Sequence, residues 1–383
     1  MKELQDILNV FEHSQNSGQR MAIATVVKTS GSVYRRPGAR MLLTEAGQTI
    51  GAISGGCLES DVFERAQPLM LQDSQPIVVQ YDTTASDDLV WGLGLGCNGV
   101  VQVLIESLNT ISANRQLEFI NQCFTQSQPG AIATIFHTEG DVNVNIADRL
   151  LLKADGTVVN QIANQSLATQ LLQDTYRVLA EGNTQVISYS LDHRSVEVLI
   201  EVIQPPVPLL IFGAGYDAIP VVQLAKQLGW HVTVIDHRPT YATRDRFSQA
   251  DETIVCNPND LPATLDLNPR TVAVVMTHNY LHDQSLLRSL LPSPIRYLGV
   301  LGPKRRTQQL LEDLHAEGLT STESQRHRLH APVGLDIGAE TPEEIALAIV
   351  AEIQSVLTQR SGGYLRERQA PIHDPAKSCL TLV

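Results

Sequence analysis

Apolar positions along this chain follow two different periods, and the places where the period changes divide the chain. Leu4, Ile7, Leu8 and Phe11 share one face of a 3.6-residue repeat, so the first fifteen residues predict an amphipathic helix. Short β-branched runs follow. AIATVV from Ala22, RMLLT from Arg40 and VQVLIE from Val101 are broken by turn signals such as AG and DG, and predict strands. LESDVFERAQPLM and LATQLLQDTYRVL carry helical spacing between such runs. Beyond the proline-rich IQPPVP (203–208) the pattern changes. LLIF, VTVID, ETIVC, TVAVVMTH and IRYLGVLG are near-continuous apolar strands that alternate with helical stretches, the pattern of a parallel sheet covered on both faces.

The first half repeats itself. Ala22–Glu59 aligns with Ala131–Ala168 at a constant offset of 109 residues, with 13 of 38 positions identical. The match resumes with PIVVQYD from Pro76 against TQVISYS from Thr184, and VVQVLIES from Val100 against SVEVLIEV from Ser195. The predicted fold class is α/β: a duplicated α+β N-terminal domain, its copies packed face to face, followed by a Rossmann-like doubly wound parallel sheet domain. The expected boundaries are 1–125 for the first copy with its Gly-Cys segments, 126–203 for the degenerate second copy, 204–208 for the linker, 209–360 for the Rossmann-like domain and 361–383 for the tail.

The second copy serves as an internal control. Cys57 aligns with Ser166, Gly55 and Gly56 with Asn164 and Gln165, and Arg35, Arg36 and Pro37 with Val144, Asn145 and Ile146. The stretch TASDDLVWGLGLGCNG, with Cys97, has no counterpart. Features needed only for the fold should persist in both copies, so the first copy is expected to keep a site and the second a scaffold. Arg40 does have a counterpart, Arg149, which points to a structural role. Glycines leading into a helix leave bare N–H groups beside the positive end of the dipole, a setting that favours an anion and a thiolate. Cys57 and Cys97 are therefore the candidate nucleophiles or soft-metal ligands, and Gly55, Gly56, Arg35 and Arg36 the candidate anion-binding residues. Asp82, Asp87 and Asp88 are expected to form a solvated turn.

In the second half, LLIFGAGYDAIPVVQLAKQLGWHVTVID places a strand, a GxGxxA turn, a helix, a second strand and an acid in order. Gly213, Gly215 and Ala218 fit the three small positions of a dinucleotide fingerprint, and Asp236 stands where a ribose hydroxyl is bound. His278 and His282 in MTHNYLHD are acid–base candidates at a strand tip, and Lys304, Arg305 and Arg306 begin a helix. Thr341, Pro342 and Glu344 predict a capped start for a last helix.

Of the 383 residues 43% are hydrophobic and 18% charged, enough apolar surface for two or three packed domains. The net charge of −13 argues against nucleic acid as a partner. No apolar run approaches the roughly 20 residues of a membrane span, and no basic, apolar leader is present, so stable membrane insertion is not expected and the expected compartment is the cytoplasm. Five dispersed cysteines without a CxxC pair argue against a disulfide frame or a structural zinc. The acidic surface and the apolar AIALAIVAEI helix point to a homodimer.

RRPGARMLL, GAISGGCLES, LGLGCNG, FGAGYDAIP, IDHRP, MTHNYLHD, LGPKRR and HAPVGLDIGAETPEEIA together resemble the XdhC/CoxI family of xanthine dehydrogenase accessory factors, over about residues 20–370. The resemblance implies a protein that binds molybdenum cofactor, aids installation of its sulfido ligand beside a cysteine desulfurase, and hands it to a molybdenum hydroxylase apo-enzyme. It also matches Cys57 and Cys97 to the family's two glycine-flanked cysteines. The resemblance implies a carrier more than a turnover enzyme. The competing expectations are an NAD(P)- or FAD-linked oxidoreductase acting at His278 or His282, and a module whose Rossmann half senses a nucleotide.

Overall fold

The computed structural model describes residues 1–15, 18–72, 74–82, 98–109, 111–191, 194–261, 265–370 and 372. Cys97, Asp87, Asp88 and Cys379 lie outside the described residues. Residues 3–205 form one compact unit and residues 206–372 another.

The N-terminal unit is built twice. Its first copy runs α1 (Lys2–Gln15), β1 (Met21–Ser32), β2 (Arg40–Thr44), β3 (Thr49–Gly51), α2 (Glu59–Gln72), β4 (Ile77–Asp82) and β5 (Asn98–Ser107). The second runs α3 (Ile111–Thr125), β6 (Gly130–Glu139), β7 (Arg149–Lys153), β8 (Val158–Asn160), α4 (Gln165–Glu181), β9 (Gln185–Leu191) and β10 (Arg194–Ile203). The two antiparallel sheets have the same strand order, β3-β2-β1-β5-β4 and β8-β7-β6-β10-β9. The duplication expected from the sequence is therefore a duplication of topology. It extends to a fault in the ladder: each long strand pair slips by one residue, at Val27 and at Phe136, which are 109 positions apart. A bulge bends its strand and re-aims one side chain. Here Val27 and Phe136 are both fully buried and pack with Leu104, Ala147 and Leu199, where the copies meet.

Helices α1 and α3 also obey the 109-residue offset, with a single identity (Leu8 and Leu117) over fourteen positions. Ile7, Leu8 and Phe11 pack with Leu117, Phe119 and Ile120 in one cluster. The second copy thus starts with α3, 15 residues earlier than the expected boundary at residue 126. The sequence conceals this because only the spacing of apolar positions, and not their identity, is needed to bury such a helix. Cys123 sits in that cluster, and burial pushes its thiol up to about 11.

Two buried ion pairs tie the copies together reciprocally. Arg40 of the first copy donates both terminal nitrogens to Glu201 of the second at 2.6 Å, and Arg149 of the second donates to Glu106 of the first. Each arginine also donates to a carbonyl two residues upstream, Gly38 or Ala147, at 3.1 Å. Arg40 and Arg149, the arginine common to both copies, therefore fill the same structural role.

The C-terminal unit contains β11 (Pro208–Phe212), α5 (Ala218–Gln227), β12 (His231–Asp236), β13 (Glu252–Val255), β14 (Val272–Val275), α6 (Tyr280–Leu290), β15 (Tyr297–Val300), α7 (Lys304–Ala316), α8 (Glu323–His327), β16 (Leu329–His330) and α9 (Pro342–Thr358). Its six strands are parallel in the order β13-β12-β11-β14-β15-β16. Alternate residues of the same strands face opposite layers. Leu209, Ile211, Val232 and Val234 pack with α5 and α9, while Leu210, Phe212, Val275 and Val300 pack with α6 and α7. The doubly wound sheet follows from those two-sided apolar strands. Thr341 caps α9 in a capping box with Glu344, with Pro342 in the first turn, as the residue types require. Ala346, Ile349, Val350 and Ile353 of that helix face α5 and the sheet, so its apolar character is used inside the unit. The basis for expecting a homodimer from this helix falls away. Among the described residues no helix is long and apolar enough to cross a membrane.

Candidate functional site

The candidate residues fall into two groups, one in each unit. In the first copy, the glycine segment changes how a helix begins. At the aligned place in the second copy α4 starts at Gln165, with Asn164 accepting from the Leu167 N–H at 3.1 Å and its amide donating to the Val142 carbonyl. With the 109-residue offset, the equivalent start in the first copy is Gly56, yet α2 begins three residues later, at Glu59. Gly56 holds φ +106, open to glycine and costly to other residues. Gly55 and Gly56 are exposed and Cys57 is a half-buried free thiol leaning on the first copy's core. The glycines replace a closed helical turn by an exposed one.

The N–H groups of that turn are not bare, contrary to expectation. Ser54 Oγ accepts from the N–H groups of Gly56, Cys57 and Leu58 at 3.1–3.2 Å, and its hydroxyl donates to Glu59. Glu59 also accepts from the N–H groups of Ser54 and Leu58. Burial opposes ionisation of Glu59, but these hydrogen bonds outweigh it and hold the carboxyl below its ordinary range. A serine ahead of the glycine run and a glutamate behind it were the available signal. An anion arriving here competes with an internal cap.

Arg35 forms an ion pair with Glu3 of α1 and is not held ready for an external anion. Arg36 is half-buried, and its Nε has no hydrogen-bond partner among the described residues. Tyr34 is 67% exposed, and its ring lies 4.0 Å from where a Cβ on Gly55 would stand. Its aligned residue is Asn143, so Tyr34 is a further feature of the first copy alone, one that sequence analysis missed. No cluster of three or more His, Cys, Asp or Glu side chains able to hold a metal exists among the described residues.

In the C-terminal unit, Gly213, Gly215 and Ala218 sit at the carboxyl end of β11, with Ala218 opening α5 and Pro220 inside its first turn. Gly213 holds φ +115, and a Cβ there would fall on the Met276 carbonyl at the end of β14. Asp236 ends β12. Its side chain is 2% exposed and fully engaged: one oxygen accepts from the Ala214 N–H at 2.7 Å, and both accept from the Arg238 guanidinium. Burial raises its pKa, but Arg238 and the N–H groups of Ala214 and Arg238 prevail and bring it down to about 2. An acid placed for a ribose hydroxyl is thus spent, in this state, on fastening the glycine turn to β12. Arg238, in IDHRP, was the missed partner.

A carboxyl whose folded pKa lies near 2 instead of 3.8 contributes stability that is present in full above pH 4 and is lost as pH falls toward 2. Discounted for the exposure of Arg238, the contribution is about 1–2 kcal/mol. Asp236→Asn is therefore expected to lower the C-terminal unit's urea midpoint at pH 6, with the gap from wild type closing by pH 2. A constant gap over that range would contradict the assignment.

A shallow depression lies beside this turn, lined by Gly213, Asp236, His237, Cys256 and Thr277. The Cys256 thiol donates to the carbonyls of Asn257 and Asp260, and burial pushes its pKa up, so it is no thiolate. His282 meets His237 edge-on at 4.5 Å, and burial followed by His237 lowers its pKa. Buried Asp283 accepts from Thr277 and Arg306, so Arg306 braces the strand-end loops. His278, at the tip of β14, pairs with Asp217.

Comparison with known proteins gives matches over most of the chain. The model for the XdhC Rossmann domain matches residues 209–353, and that for the XdhC and CoxI family matches 14–82 and again 123–190, one segment in each copy. The chain is 34% identical to a Bacillus subtilis (strain 168) protein named as a probable xanthine dehydrogenase subunit, covering 88% of this chain and 92% of that protein. It is 22% identical to the molybdenum cofactor insertion chaperone PaoD of Escherichia coli (strain K12), covering 91% and 87%. A Bacillus halodurans crystal structure, described as a xanthine dehydrogenase, superposes with a TM-score of 0.74 at 29% identity, covering 92% and 96% of the two chains. By its duplicated N-terminal sheets, its glycine-bounded strand ends and these matches, the chain belongs to the XdhC/CoxI family.

Proposed function

We propose that this chain is an accessory protein for a molybdenum hydroxylase of the xanthine dehydrogenase type. It takes up molybdenum cofactor as cargo at the Gly55–Cys57 turn, aids its sulfuration with a cysteine desulfurase, and delivers it to the apo-enzyme in the cytoplasm. The observation that carries this reading is the internal control. Two copies share strand order, bulge and buried ion pairs, and differ where Gly55, Gly56 and Cys57 open the helix start that Asn164 closes in the other copy. A pterin dithiolene cargo offers a phosphate, a planar ring and a soft metal bearing sulfur. Arg36 suits the first, Tyr34 the second, and the Cys57 thiol, with Cys97, the third. The kinship with PaoD, itself named a cofactor insertion chaperone, supports the same class of role.

The test is anaerobic titration with molybdenum cofactor, comparing wild type with Cys57→Ala and Cys97→Ala by retained molybdenum and pterin fluorescence. Each variant is expected to retain at least tenfold less cofactor, and Cys57→Ala to fail to activate a co-expressed hydroxylase. Full retention and full activation by Cys57→Ala would overturn the proposal.

For the C-terminal unit we propose a nucleotide of the NAD(P) or FAD class as ligand, supported by the fingerprint glycines at the end of β11. An oxidoreductase acting there is the second reading, supported by the acid–base pair of Asp217 and His278 beside the turn.

A further inference from the structure

Asp217 stands immediately before α5, at its cap position, yet its side chain accepts no N–H from the helix. The carboxylate lies across the glycine turn instead. Oδ1 occupies the space a Cβ on Gly215 would take, and Oδ2 lies 2.7 Å from His278 Nε2. A carboxylate only accepts, so Nε2 carries the hydrogen and the bond runs from histidine to aspartate. His278 is held at φ +58, a left-handed conformation that costs a residue with a Cβ free energy and persists only where the surroundings impose it. The ring is 61% exposed and Asp217 17%, so the pair spans the rim of the crevice.

The two residues follow β11 and β14. These adjacent strands flank the point where strand order reverses, from β11-β12-β13 on one side to β14-β15-β16 on the other. Ligands of open α/β sheets sit in that crevice, and the second fingerprint glycine exists so that a diphosphate can approach the backbone. Here the space freed by Gly215 is filled by a carboxylate of the same sign as the diphosphate.

We propose that Asp217 and His278 form a latch over the glycine turn, in which the Asp217 carboxylate holds the place of a nucleotide's diphosphate and must swing off Gly215 before the nucleotide binds. This rests on the nucleotide reading of the fingerprint. The latch makes the unit a weak, gated binder: like charges at a few ångströms oppose each other, so removing the Asp217 charge strengthens binding on the order of tenfold.

The experiment uses the full chain and follows NADH by its fluorescence and FAD by quenching, with inorganic pyrophosphate as competitor. Asp217→Asn keeps an acceptor for His278 and removes the charge, and Asp217→Ala removes both. Both variants are expected to bind one of the two nucleotides about tenfold more tightly than wild type, with pyrophosphate displacing it. If wild type binds and neither variant binds more tightly, or if pyrophosphate does not compete, the latch is wrong and the nucleotide reading stands. If wild type and both variants bind neither nucleotide at millimolar concentration, the nucleotide reading falls and takes the latch with it.

Discussion

Arg149→Met is expected to destabilise the N-terminal unit by about 3–5 kcal/mol, a large fraction of the stability of an ordinary domain. Glu106 is 2% exposed, and among the described residues its carboxylate accepts, besides Arg149, only from Gln116 at 3.3 Å. Removing the arginine leaves a charge buried with one weak partner. The cost comes from that stranded charge and not from the intrinsic worth of the pair. Arg149→Met combined with Glu106→Met is therefore expected to recover most of the loss, since two apolar side chains of similar reach need no desolvated partner. Arg40→Met should follow the same pattern with a smaller loss, because Glu201, at 8%, is closer to solvent. Urea denaturation of the three variants measures this. A double variant as unstable as Arg149→Met alone would show that the pair itself, and not an unpaired carboxylate, carries the energy.

Gly213→Ala is expected to cost more than about 3 kcal/mol and to unfold the C-terminal unit at moderate temperature, whatever that unit binds. The φ of +115 already disfavours any Cβ, and the added atom would meet the Met276 carbonyl, a backbone group with no freedom to move away. Gly215→Ala meets only the carboxylate of Asp217, a side chain able to rotate, and should change melting by far less. Thermal unfolding of the two variants separates them: equal melting temperatures would refute the division. The fingerprint's first glycine is thus required by the fold, so tests of the proposed ligand belong on Gly215, Asp217 and His278.

Much of this was legible in one dimension. Strand and helix periods, the repeat, the GxGxxA turn and the capping box of α9 all depend on residues within a few positions of one another, where sterics and local hydrogen bonding decide the outcome. The open Gly55–Cys57 turn was legible for a different reason: the second copy showed what the same scaffold looks like closed. The expectation of bare N–H groups failed there because Ser54 reaches forward into its own turn, a local contact the glycine pattern overshadowed.

By itself the sequence determined which segments become strands and helices, that the first half is a duplicated unit, and that the second half is a two-sided parallel sheet. Tertiary structure alone decided who pairs with whom. Arg40 finds Glu201 across 161 residues, Arg149 finds Glu106 across 43, and Asp217 finds His278 across 61. It alone decided that α3 repeats α1 and that Asp236 is already engaged by Arg238 and Ala214. The reason is physical. A periodic pattern records only that a face must be buried, whereas the partner of a buried charge is set by which strand ends the folded sheets bring within hydrogen-bond reach.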